Sequence, residues 1–199
     1  MAGGLMNCKE ITTLRFLELI EKDGVQTQRS IAKMLDISLG NANAIVKGLV
    51  QSGCVTVREK SKNRLQYLTT QKGDFEKVRL AYKYLDFSLN FYCDIKARIK
   101  RTFSRLCQQN IRSVVFYGAG GLAELAYQLL QQTPLKLRAV IDANLAGQMF
   151  FDKAVMGPDK LTSLSYDKIF ITELGDGKTI EHISEELTIS RDDLITVVG

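Results

Sequence analysis

Two groups of residues could do chemistry, and they lie far apart in the chain. The first is Asn41, Asn43 and Lys47 within residues 38–53, SLGNANAIVKGLVQSG. Carboxamides pair with base edges and an ammonium with phosphate, so a helix that turns these three outward suits the major groove of DNA. Ser38 at the head of the stretch, with Gln28 and Arg29 in the segment before it, are further candidates for DNA contact. The second group is Gly118, Ala119, Gly120, Gly121 and Leu122, followed by Ala123 and by Asp142, 24 residues beyond Gly118. A glycine turn that opens a helix leaves backbone amides free to cradle an anion, and a carboxylate at the end of the next strand can accept from ribose or sugar hydroxyls. Asn144, two residues on, is a further ligand candidate.

The elements that must hold the first group are readable from spacing. Leu14, Phe16, Leu17, Leu19 and Ile20 recur at helical intervals and Asp23-Gly24 ends the run, which predicts a helix over 11–22. Thr27 offers an N-cap for a short helix over 28–35 with Ile31, Met34 and Leu35 inward, and Asp36-Ile37 makes a turn. Ser38 caps the next helix, with Leu39, Ile45 and Leu49 inward and Gly53 as its stop. Residues 54–58 and 65–68 then alternate as strands around a basic tip that carries Lys60, Lys62 and Arg64. That order is a helix-turn-helix followed by a hairpin, a winged helix, whose tip reaches phosphates while its second helix enters the groove.

Residues 74–109 contain no Pro or Gly and predict one long helix of ~50 Å. Val78, Tyr82, Leu85, Leu89, Tyr92, Ile99, Phe103 and Leu106 fall on a spacing that alternates four and three, apart from Lys96. Such a seam predicts pairing with a second helix, and hence a homodimer, or packing onto a domain.

The second group sits in a strand, glycine turn, helix, strand context: residues 114–117 are apolar, 122–130 amphipathic and 137–141 apolar up to Asp142. That is the βαβ setting in which Gly118-x-Gly120-x-x-Ala123 acquires meaning. Extended segments over 154–158, 168–172 and 194–198 and helices over 158–164 and 178–187 complete a compact layer whose sheet should be parallel, its ligand beside 118–122 and 172–177.

Charge separates the same parts. Lys and Arg outnumber Asp and Glu by five over residues 1–73 and by four over 74–109, and fall short by four over 110–199. A polyanion would therefore meet the N-terminal part. Cys8, Cys54, Cys93 and Cys107 form no Cys-x-x-Cys pair, and His182 is the single histidine. This argues against a zinc site or a disulfide framework, and no metal is expected. No apolar run approaches the ~20 residues of a bilayer span, so a cytoplasmic protein is expected.

The runs SLGNAN (38–43), KGLVQSG (47–53) and YLTTQKG (67–73) resemble winged-helix regulators of the MarR type, particularly the group associated with exopolysaccharide gene clusters. The resemblance implies a DNA-binding regulator of polysaccharide genes; that group carries a Lys and an aromatic where this chain has Asn41 and Ala44. The segments FYGAGG (116–121), VIDAN (140–144), VMGP (155–158) and YDKIFI (166–171) resemble the small Rossmann-like nucleotide-binding domains of sugar-modifying and polysaccharide-biosynthesis proteins, and CoA-binding domains. The overall order is similar to the redox-sensing Rex repressors that read NADH, although this domain is short for a full dinucleotide fold.

The sequence thus predicts an α/β protein with a winged helix: a DNA-binding domain over 1–73, a linking and dimerisation helix over 74–109 and a Rossmann-like domain over 110–199. Its expected partners are double-stranded DNA, a second copy and a nucleotide-type ligand: a nucleotide sugar, NAD(H) or CoA. A sugar-nucleotide or nicotinamide-dependent enzyme with an accessory winged-helix domain is the alternative, disfavoured because the glycine turn is followed by no Tyr-x-x-x-Lys pair and no Ser-His-Asp set. A third reading makes the α/β part only a dimerisation or partner module.

Overall fold

The computed structural model describes residues 6–22, 25–61, 64–173, 184 and 189–197. It divides into two compact units, Met1–Phe91 and Tyr92–Gly199. The expected helix over 178–187 apart from Ser184, the loop residue Gly177, His182 and Lys62 lie outside the described residues.

In the first unit, α1 (Cys8–Lys22) buries Leu14, Phe16, Leu17 and Ile20. A two-residue strand β1 (Val25–Gln26) precedes α2 (Gln28–Met34). Thr27 and Ser30 form a reciprocal capping box: the Ser30 amide donates to Thr27 Oγ1 at 3.1 Å, and the Thr27 amide to Ser30 Oγ at 3.0 Å. Asp36 turns the chain with φ +54°, a conformation that Asp tolerates better than most residues. Helix α3 (Leu39–Gln51) starts at Ser38, whose hydroxyl accepts from the Asn41 amide at 3.2 Å. It ends in a Schellman pattern around Gly53, at φ +74°, with Cys54 N donating to Leu49 O at 2.9 Å and Gly53 N to Val50 O at 3.0 Å.

The inward faces of α2 and α3 differ from the expected ones. Ile31, Ala32 and Leu35 are buried on and just after α2, while Met34 is 56 % exposed. On α3 the buried set is Ala42, Ile45, Val46 and Leu49, and Leu39 is 44 % exposed. Ala42 and Val46 complete an i, i+3, i+4, i+7 stripe that excludes the first helical residue. Small apolar residues near the crossing of two short helices thus displace larger ones from the core.

Strands β2 (Val55–Ser61) and β3 (Arg64–Thr69) pair antiparallel, and β1 adds to the far edge of β3. Tyr67 on β3 is fully buried edge-on to Phe16, ring centroids 6.1 Å apart.

Helix α4 (Gln71–Gln108) begins before the expected start and includes Gly73. Thr70 caps it: Gly73 N donates to Thr70 Oγ1 at 3.1 Å, and that hydroxyl donates to Gly53 O at 2.7 Å. The absence of a Cβ at Gly73 lets α4 start against the Cys54 carbonyl oxygen, into which a Cβ would run. The predicted seam splits in two. Ile99, Phe103 and Leu106 are buried in the second unit's core. Val78, Tyr82, Leu85, Leu89 and Tyr92 are exposed, Tyr82 by 70 %. In the first unit α4 instead buries Leu80 and packs Phe87, seven residues apart and so on one face.

The second unit holds β4 (Ser113–Tyr117), α5 (Gly121–Leu130), β5 (Lys136–Ile141), β6 (Met149–Phe150), β7 (Lys153–Met156), β8 (Lys168–Ile171) and β9 (Leu194–Ile195). The sheet order is β6-β7-β5-β4-β8-β9. Five strands are parallel; β6 runs antiparallel to β7 and corrects the expectation of a wholly parallel sheet. Two-residue β6 is too short to leave an alternating pattern. The link from β5 to β7 carries no helix, only turns and β6. One sheet face buries Val114, Phe116, Val140 and Phe170 against α5 and the end of α4; the other buries Val115, Ile141, Ile169 and Ile171 against Leu161. Leu161 belongs to a 3-10 helix over Pro158–Ser163.

Candidate functional site

The outward face of α3 follows from its buried stripe. Gly40, Asn41, Ala44, Lys47, Gly48 and Gln51 are exposed. Asn41 and Lys47 are therefore presented as expected. Asn43 is not: it is half-buried, and its Oδ1 lies in the interior without a hydrogen-bond partner among the described residues. Its position beside the Ala42–Val46 stripe draws it inward, while Ala44 and Gln51 take the centre of the outer face. Gly40, Ala44 and Gly48 leave that face low, and added Cβ atoms at Gly40 and Gly48 would meet nothing within 4 Å. A low helix face can approach a partner closely. Gly40, Ala44 and Gly48 carry no polar group, and Gln51 is the last residue of α3, so residue type alone marks none of them as part of this face.

Ser38 is occupied as the cap of α3. Arg29 and Gln28 are exposed in the first turn of α2. Burial raises the Tyr67 phenol's pKa, with the Gln28 side chain acting in the opposite sense. Lys60 and Arg64 stand on β2 and β3 at the end where the two strands are joined, Ser61 pairing with Arg64.

The glycine loop is built by the ends of β4, β5 and β8. Gly118, at φ +105°, donates its amide to Ile141 O at 2.7 Å. A Cβ there would come within 2.6 Å of Glu173 N, so only glycine allows the chain to pass this close to the end of β8. Thr172 seals the same corner, its buried hydroxyl donating to Gly118 O at 2.6 Å. The Ala119 amide donates to Asp142 Oδ2 at 2.9 Å, and Asp142 Oδ1 accepts from Asn144 N at 2.9 Å and Leu145 N at 3.1 Å. Asp142 thus holds the loop shut from below. Three of the roughly four lone-pair directions of its carboxylate are used, which leaves one for a ligand hydroxyl. Asn144 is exposed.

Gly120 is the N-cap of α5 and offers no side-chain cap. First-turn amides have no carbonyl of their own helix to bond, so those of Gly121 and Leu122 have no acceptor within α5. Added Cβ atoms at Gly120 and Gly121 would meet nothing within 4 Å. The parallel strand order reverses between β4 and β8, and in sheets of this kind the crevice outside the carboxyl ends at the reversal is where ligands sit.

A cavity of about 390 Å³ lies beside the loop, lined by Ala119, Glu124, Leu145, Gln148, Met149, Phe150, Phe151 and Val155. Ala119 is the one predicted ligand residue that lines it. The cavity occupies the side of α5 where the helix-free link from β5 to β7 passes. Phe151 stacks on Tyr127 with centroids 4.6 Å apart and planes 28° apart, and Tyr127 donates its hydroxyl to Asp152 Oδ1 at 3.1 Å. Desolvation, with the Asp152 carboxylate, raises the Tyr127 pKa and keeps that proton in place. Phe151 has φ +52° in the two-residue turn between β6 and β7. A bulky residue there carries strain on the order of 1–3 kcal/mol. No group of three or more His, Cys, Asp or Glu placed to hold a metal occurs among the described residues, and none of their helices is long and apolar enough to cross a membrane.

Three helices, a tight turn before a doubly capped third helix, and a hairpin with a third strand at its edge are now in place, and residues 10–56 match the family described as winged helix-turn-helix DNA-binding. The first unit is a winged helix-turn-helix. Residues 110–195 match the family described as C2185-like, N-terminal. No curated protein matches the chain. Similar solved structures include ZitR of Lactococcus lactis in complex with DNA, at 16 % identity over 53 % of this chain and 76 % of that one, TM-score 0.36. NMB1585, a MarR family regulator from Neisseria meningitidis, is 19 % identical over 64 % of this chain and 80 % of its own, TM-score 0.35. PigF with SAH is 13 % identical over 82 % of this chain and 62 % of its own, TM-score 0.30.

Proposed function

We propose that the protein is a dimeric, DNA-binding transcription regulator whose α/β unit binds a nucleotide-type metabolite. The outer face of α3 carries the first half: Asn41, Lys47 and Gln51 stand around Gly40, Ala44 and Gly48 on a helix capped at both ends, within a winged helix. Such a face lets the helix sink into a major groove with a few polar groups at base edges and phosphates, while Lys60, Lys62 and Arg64 of the wing add backbone attraction. The exposed stripe Phe75, Val78, Tyr82, Leu85, Leu89 and Tyr92 supports the dimer. Its spacing of three and four is that of a helix seam, on the face of α4 opposite Leu80 and Phe87.

The loop of Gly118 to Leu122 supports the second half. Its open amides at the start of α5 donate to a phosphate, and the remaining acceptor direction on Asp142 takes a sugar hydroxyl; a nucleotide sugar, NAD(H) and CoA all offer both. Coupling to DNA requires the ligand to favour one dimer geometry. Fluorescence anisotropy of promoter DNA against salt tests the reading. Affinity should fall steeply between low and moderate salt and again on Lys47→Ala; a salt-independent signal that survives Lys47→Ala and Gln51→Ala removes α3 as the reading helix.

A further inference from the structure

We propose that the cavity between α5 and the β6 to β7 hairpin binds a nucleobase, and that guanine is the base it fits. This rests on the glycine loop being a nucleotide site and adds the part of the ligand that the loop does not hold. The cavity shares Ala119 with the loop, so it lies next to the place where a phosphate would meet the amides of Gly121 and Leu122. Its volume of about 390 Å³ falls in the range of small-molecule sites.

The walls suit a flat ring. One face of Phe151 is covered by Tyr127, yet Phe151 remains 54 % exposed and Met149 beside it 67 %. A phenyl ring held by stacking on Tyr127, with Phe150 near-perpendicular to it at 5.0 Å, and still half exposed offers a platform for a second planar ring. The turn itself does not call for Phe151: the position has the left-handed backbone that glycine adopts without strain, so an aromatic is kept there against local preference.

Polar groups at the cavity decide the base. Among the described residues neither the Glu124 carboxylate nor the Gln148 amide has a side-chain hydrogen bond, and no Lys or Arg lines the space. A carboxylate only accepts, and it accepts best from two neighbouring N–H donors. Guanine offers that pair at N1 and N2, and its O6 can accept from the Gln148 amide. Adenine, cytosine and uracil each bring one donor to that edge. The acidic lining also turns the phosphate away from the cavity and toward the loop.

Titration of the full-length, ¹⁵N-labelled protein with GMP, AMP, UMP and ribose 5-phosphate, paired with calorimetry, tests this. GMP should bind best, shifting the amides of Glu124, Gln148 and Phe151 together with those of Gly121 and Leu122. Phe151→Gly should weaken GMP by about 10-fold with no loss of thermal stability, because glycine relieves the backbone strain; a purely structural Phe151 would show the reverse. Glu124→Gln should abolish the preference for GMP over AMP. Ribose 5-phosphate binding at Gly121 as well as GMP does, or GMP binding undiminished in Phe151→Gly, overturns the base site and leaves the loop reading standing. Shifts at Met149 and Phe151 that follow protein concentration rather than nucleotide overturn it in favour of a second copy on this groove. No probe binding overturns both readings.

Discussion

Asp142 Oδ2 accepts the Ala119 amide at 2.9 Å, so the carboxylate at the end of β5 anchors the turn that follows β4. With Oδ1 holding Asn144 N and Leu145 N, one side chain fixes the glycine loop and the turn after β5. Asp142→Ala strands three amides. We expect a loss on the order of 2 kcal/mol in urea denaturation, with Asp142→Asn intermediate. An unchanged midpoint in Asp142→Ala would show that water replaces the carboxylate without cost.

Gly48 gives a prediction in which stability and function move apart. A Cβ at this exposed helical position meets nothing within 4 Å, and alanine is favoured over glycine in a helix interior by about 1 kcal/mol. Gly48→Ala should therefore raise the melting temperature while it weakens DNA binding, because the new methyl stands on the face proposed to enter the groove. Gain in stability with unchanged affinity places Gly48 outside the contact.

The stripe on α4 predicts an oligomer. Tyr82→Glu with Leu85→Glu should turn a dimer into a monomer in sedimentation velocity and leave the circular dichroism unchanged, since both residues are exposed in the single chain. Unchanged sedimentation of a dimeric species would move the interface elsewhere.

Acid should weaken the second unit through Asp167. Its Oδ2 accepts from Arg112 N at 2.9 Å, Ser113 N at 2.8 Å and Ser113 Oγ at 3.0 Å. Those bonds, the Arg112 amide first, hold its pKa below the usual carboxylate value. A depressed folded pKa means that the contribution is present above the unfolded pKa and is lost as pH falls through the folded one. Denaturation midpoints should drop between about pH 5 and pH 2, and Asp167→Asn should flatten that drop. An identical pH profile in the variant would assign the acid sensitivity to other carboxylates.

Sequence spacing was a good guide wherever a cap or a glycine fixed the geometry. Thr27, Ser38 and Gly53 end their helices as their chemistry dictates, and Gly118 takes the strained turn that its position demanded. Phase was harder to read. Leu39 and Met34 are large and apolar, yet lie outward because Ala42, Val46 and Ala32 fit a close crossing that hydrophobicity alone does not reveal. The polarity of Asn43 points it outward, yet its place on the helix leaves it half-buried. The heptad spacing of α4 was visible, but not that its second half is covered within the chain and its first half is not, since both halves have the same pattern. Phe150 and Phe151 leave no sign in the sequence, because two adjacent aromatics give neither helical nor strand periodicity.

The Thr70 junction has a consequence for how α3 opens. Thr70 Oγ1 bonds the carbonyl of Gly53 and accepts the amide of Gly73, while Thr70 N bonds the carbonyl of Cys54. The last turn of α3 and the first turn of α4 therefore cannot fray independently. Amide hydrogens at Gly53, Cys54, Gly73 and Asp74 should exchange with solvent through one shared opening, at a common rate that Thr70→Val accelerates for all four together.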